Sequence, residues 1–133
     1  MEIPKVLWLK KRMDPSLFAR CQFFDLPDFL TYRATGGSTT RSACSLTCKC
    51  SFVPERGGTG AGGWQDAFFE QIGLGEFVHN AYVQIGPVKD GKYKRMTDIL
   101  TAGFPVGNGL DKKAAKELGL LEGTPVGSAV IDA

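Results

Sequence analysis

The sequence holds one histidine, a net charge of only +2 and no long apolar run, and each shortage closes a class of function. The lone imidazole, His79, is distant from the cysteines, and nothing in the sequence ties it to one thiol as a catalytic pair. A charge this small, with its basic residues dispersed, leaves no footprint for nucleic acid. The one basic triplet, Lys10, Lys11 and Arg12, reads as a solvated helix end. No apolar stretch approaches the roughly 20 residues that a membrane helix needs. The start, "MEIPKVLWLKKRM", lacks the basic region and long apolar stretch of a signal peptide. These absences predict a cytoplasmic protein with neither nucleic-acid nor membrane partners. Cys21, Cys44, Cys48 and Cys50 are then expected as free thiols in a reducing compartment.

What is present is enough for a core: 133 residues, of which 43% are apolar and 23% charged, fit one domain or a large piece of one. The first third predicts three short helices. Pro4 suits a first turn, Asp14 and Pro15 restart the helix, and Asp25 or Leu26 before Pro27 starts the third, which Gly36 ends.

The period then changes. In "TTRSACSLTCKCSFV" the even positions are Thr40, Ser42, Cys44, Leu46, Cys48, Cys50 and Phe52, an alternation that predicts a strand with those cysteines on its buried side. Residues 55–63 lie in a flexible glycine-rich loop, and "WQDAFFEQIG" follows as a short amphipathic helix closed by Gly73. From Leu74 to Gly109 the text is irregular, with one short strand expected near Tyr82 to Ile85. "LDKKAAKELGL" is a helix capped by Asp111 and ended by Gly119, and "TPVGSAVID" predicts a buried strand. This order favours an α/β or α+β layer architecture.

Several motifs invite a chemical reading. Gly58, Gly60 and Gly63 match G-x-G-x-x-G, but Pro54, Glu55 and Arg56 separate them from the strand and no acid follows at the dinucleotide spacing. The pattern is a surface loop. Cys44, Cys48 and Cys50 lack the converging C-x-x-C pairs of a zinc site and fit small buried thiols. Asp25, Asp28, Asp66 and Asp111 stand where helix caps and first turns favour acids. Asp132 differs. At the carboxyl end of a strand it either faces a cleft of the kind in which α/β folds bind ligands or is a solvated strand end.

Five blocks in order, "PKVLWLKK", "FFDLPDFLTYRATG", "TRSACSLTCK", "GWQDAFFEQIGL" and "GLDKKAAKELGLLEGTPVGSAVIDA", resemble the FGGY carbohydrate kinases, in particular the branch that phosphorylates pentuloses such as ribulose. The resemblance implies a partial ribonuclease-H-like domain of the actin-like ATPase superfamily. It implies ATP-dependent transfer of a phosphoryl group to a sugar hydroxyl, with ATP and Mg2+ serving the complete enzyme. Asp132 falls on the aspartate of the family's "IDAHAG" block, the base for the accepting hydroxyl. Lys49 falls on a lysine that reaches the sugar in ribulokinase-like members, and Cys50 replaces the aromatic residue that often follows it.

The family's glycine- and threonine-rich phosphate hairpin, its Asp-His-Arg block and its second, adenine-binding domain have no counterpart in this sequence. Residues 1–133 are therefore expected to form an incomplete N-terminal kinase domain, a fragment inactive alone and without ATP or Mg2+ of its own. The alternative is a non-catalytic truncated protein that binds a partner, or itself, through an exposed sheet edge. Trp8, Phe23, Phe24, Trp64, Phe68 and Phe69 would then be partly uncovered.

Overall fold

A computed structural model of the chain describes residues 1–54, 62–89, 92–93 and 99–131. Its architecture is mixed, small helices around two minimal sheets. The three N-terminal helices follow their sequence signals: α1 (Ile3–Lys10) and α2 (Pro15–Arg20) carry proline in the first turn, as does α3 (Leu26–Ala34). Asp14 caps α2 through its side chain, which accepts from the Ser16 and Leu17 amides, satisfying donors that the first turn cannot pair internally.

The segment expected as a long strand is the principal correction. Only Arg41–Ser42 is extended (β1); Ala43–Lys49 is helix α4, with Ser42 as its N-cap accepting from the Cys44 amide. The alternation in the sequence comes from small residues, Ser, Thr and Cys, which commit weakly to either period. The cap and the burial of Ser45 and Leu46 on one helix face decide the outcome. The cysteines consequently do not share a buried face: Cys50 is buried, Cys44 half-buried and Cys48 exposed, and all four are free thiols.

Helix α5 (Asp66–Gln71) lies where expected and turns through Gly73 into α6 (Gly75–His79), which the sequence concealed. The expected strand near Tyr82 to Ile85 is a turn instead, held by bonds from the Ile85 and Gly86 amides to the Tyr82 carbonyl. Two-residue strands follow: β2 (Val88–Lys89) pairs antiparallel with β3 (Lys92–Tyr93), and β4 (Ile99–Leu100) pairs parallel with β1, Arg41 opposite Ile99. Helix α7 (Lys112–Leu118) keeps both predicted ends, Asp111 accepting from the Ala114 amide and Gly119 left-handed at φ 68°.

The last segment is not a regular strand. Gly127 makes a single antiparallel bridge to Pro105, and its neighbours make loop contacts that include backbone bonds to Val106, Gly103, Phe104 and Leu110. Of the glycine-rich loop, 55–61 lie outside the described residues; its stem is closed by reciprocal bonds between Val53 and Gly63.

The main core gathers Ile3, Val6, Phe18, Leu46, Phe52, Phe69, Leu74, Phe77, Tyr82 and Ile85 from α1, α2, α4 to α6 and the turns that follow α4, α5 and α6. Rings lock it: Trp64 stacks on Tyr82 at 4.9 Å, and Phe69 meets both edge-on. A smaller cluster of Leu110, Ala114 and Ala115 receives Ala34 and Val126, seating α7 against α3. Of the aromatics expected to be uncovered, Trp8 and Phe68 are exposed, Phe69 is fully buried, and Phe23, Phe24 and Trp64 are half-buried.

Candidate functional site

Among the described residues, the junction of β1 and α4 collects most of the buried polar side chains. Arg41 and Ser42 are each 1% exposed, as is Asp28 in the first turn of α3. Asp28 Oδ1 accepts the Ser42 amide at 3.0 Å, and the Ser42 hydroxyl donates to the Ala129 carbonyl at 2.5 Å. One residue thus ties α3, the start of α4 and the C-terminal segment together.

Among the described residues Arg41 makes no direct ion pair and is held by its other surroundings. Its guanidinium donates to the Thr39 carbonyl at 2.6 Å and the Phe23 carbonyl at 3.3 Å, and lies 3.6 Å over the Phe24 ring. Burial lowers its affinity for a proton to about 10, against the opposing field of Asp28. Burial likewise raises Asp28 to about 6, while the Ser42 amide and the Arg41 charge favour its carboxylate. Asp28 was expected as an ordinary first-turn acid; the structure makes it a buried clamp. Among the described residues, the buried Asp25 Oδ2, Asp28 Oδ2 and Arg41 Nε find no hydrogen-bond partner there.

Lys49 is the last residue of α4, half-buried. It does not project from a strand face opposite Cys44 and Cys48, because that strand does not exist. Its carbonyl accepts the Glu2 amide at 2.8 Å, anchoring the end of α4 to the start of α1. Among the described residues its ammonium has no partner, and the helix C-terminus is a favourable place for a cation. Asp132 lies outside the described residues. The segment leading to it is described as far as Ile131 and is tied to the β1–α4 junction at Ala129.

Among the described residues no group of three or more His, Cys, Asp or Glu side chains could hold a metal ion. No described helix is long and apolar enough to cross a membrane. His79 helps line an open cleft of ≈ 560 Å³ together with Lys10, Phe18, Glu76, Asn80 and Gln84; Lys10 pairs with Glu76 there at 2.7 Å.

No protein-family model matches the chain. A D-ribulokinase of Saccharomyces cerevisiae is 44% identical over 133 residues, the whole chain and 18% of that protein. FGGY carbohydrate kinase domain-containing proteins of Homo sapiens and Xenopus laevis are 42% and 41% identical over 134 residues, again the whole chain and 21% of each. Along its whole length the chain is thus similar to proteins named as FGGY carbohydrate kinases. It spans about a fifth of the length of the curated relatives it matches.

Proposed function

We propose that residues 1–133 are an incomplete N-terminal domain of an ATP-dependent carbohydrate kinase, with a pentulose such as ribulose as acceptor and no activity when separate. In this reading the chain's layers are part of a ribonuclease-H-like domain, and the first strands and the C-terminal domain complete it. The observation that carries the proposal is the 44% identity, across the entire chain, to a protein named D-ribulokinase. A cytoplasmic location goes with it.

The chain's own residues serve the acceptor side. Asp132 takes the proton from the sugar hydroxyl as that oxygen attacks the phosphoryl group, general-base assistance worth about 100- to 10,000-fold in rate. Lys49, with its ammonium unpaired among the described residues, binds a sugar oxygen. ATP and Mg2+ serve the complete enzyme in this reading, with the phosphoryl donor held by parts of the kinase beyond these residues.

The test is a complete kinase in which this stretch replaces the matching stretch of the yeast D-ribulokinase, assayed for ATP-dependent phosphorylation of D-ribulose. Turnover is expected, and Asp132→Asn should abolish it without changing the unfolding midpoint. Retained turnover in that variant would defeat the assignment, as would turnover by the isolated 133 residues for the claim of inactivity.

A second reading is favoured by Leu26, Leu30, Leu118 and Leu121, which are 58–81% exposed on and beside α3 and α7. Such a surface suits a non-catalytic protein that docks on a partner or on itself. Light scattering after size-exclusion chromatography separates the two: a monomer at micromolar concentration removes self-association.

A further inference from the structure

We infer that Ser42 is a positioning residue for the catalytic base, an inference that rests on the proposed role of Asp132. Among the described residues, the C-terminal segment is fastened stepwise. Val126 accepts the Val106 amide, Ser128 donates its amide to Phe104 and accepts from Gly103, and the Ser128 hydroxyl donates to Thr101 at 2.6 Å. The last fastening is the Ser42 hydroxyl on the Ala129 carbonyl. No hydrogen bond between described residues holds the chain beyond it, and only Val130 and Ile131 separate it from Asp132.

Ser42 is itself fixed from two directions. Its amide is held by the buried Asp28 carboxylate, and its hydroxyl oxygen also accepts the Cys44 amide at 3.1 Å as the cap of α4. A serine hydroxyl has one proton to give, and here it goes to Ala129. The same helix carries Lys49 at its other end, about 10 Å away at the helical rise. One short helix therefore carries the proposed substrate contact at one end and, at the other, the last hydrogen bond that fastens the described chain before the proposed base. Because a displacement of about 1 Å in a reacting group can cost about 100-fold in rate, the final anchor before Asp132 bears on turnover rather than on affinity.

The experiment uses the complete kinase carrying this stretch, with kcat normalised to folded enzyme. Ser42→Gly removes the donor but keeps the Ser42 amide and a residue well tolerated at an N-cap. Ser42→Ala removes the same donor, and Ser42→Thr restores it. The two donorless variants should lose about 10- to 100-fold in kcat with KM for the sugar within about twofold, and Ser42→Thr should recover most of the loss. Equal turnover in Ser42→Gly and Ser42→Thr would overturn the inference, as would a loss confined to KM. Asp132→Asn measured in parallel separates the two claims. If it retains activity, the base assignment has failed. If it is inactive while Ser42→Gly turns over normally, the assignment stands and the positioning role has failed.

Discussion

Asp28 and Ser42, fourteen residues apart, meet in a 3.0 Å hydrogen bond from the Ser42 amide to a carboxylate that is almost wholly buried. The bond holds the N-terminus of α4 against α3. Burial works against the charge that the bond prefers, and burial dominates, raising Asp28 from its ordinary 3.8 to about 6.

That balance predicts a pH dependence of stability. Between about pH 4 and pH 6 the folded chain keeps a proton on Asp28 that the unfolded chain has lost. Stability contributed by this group therefore falls as pH rises through that window, by an amount on the order of 3 kcal/mol, and is flat below and above it. Asp28→Asn keeps an oxygen for the Ser42 amide and cannot titrate. Urea unfolding of the full chain at intervals from pH 4 to 7 should show a decline in wild type that the variant lacks. Parallel profiles would mean that Asp28 stays ionised throughout.

Gly109 predicts a steric effect. It has φ 82°, and a Cβ there would collide with the backbone carbonyls of Gly123 and Thr124, where the loop before α7 crosses the segment after it. Gly119 has a similar φ of 68°, with open space around it. Gly119→Ala should cost about 1 kcal/mol for the left-handed conformation alone. Gly109→Ala should cost about 2 to 4 kcal/mol, because backbone rather than a movable side chain blocks it. Matching urea midpoints for the two variants would show that the crossing opens freely.

The cysteines predict an order of reactivity. Cys50 is buried, and burial pushes its thiol up to about 12, with the Asp25 and Asp28 charges adding to the effect. Cys48 is exposed. Since the thiolate is the reactive form, iodoacetamide at pH 7.5 should alkylate Cys48 while leaving Cys50 unmodified until the chain unfolds. Peptide mapping reads the order directly, and early labelling of Cys50 would show that the β1–α4 junction opens in the native state.

How much of this was legible depended on whether the signal was local. Asp14–Pro15, Pro27, Asp111 and Gly119 mark helix ends by chemistry that acts within one turn, and those helices appear where the sequence placed them. Helix α4 was misread because small residues gave a false period of two, whereas its deciding features, the Ser42 cap and the burial of Ser45 and Leu46, depend on neighbours. Helix α6 and the turn after it were hidden for the same reason. Their support is distant, in the Lys10–Glu76 pair and the bond from Tyr82 to Asp66. At the candidate site, Asp132 stood out as an acid ending an apolar segment, and Lys49 was singled out through resemblance. Asp28 looked like a first-turn acid, since its burial against Ser42 has no trace in the residues beside it.

Lys49 carries the last prediction. It ends α4, where the helix dipole favours a cation, and its side chain makes no bond to any described residue. A lysine without a structural partner is worth little to stability. Lys49→Met, which keeps most of the apolar stem, should change the unfolding midpoint of the full chain by less than about 0.5 kcal/mol equivalent. In the complete kinase the same change should raise KM for the sugar about tenfold or more, since a charge-assisted hydrogen bond contributes about 1.5 to 3 kcal/mol. Steady-state kinetics across a range of sugar concentrations distinguishes the outcomes. A raised KM with unchanged stability assigns Lys49 to the substrate; an unchanged KM makes it an ordinary solvated lysine.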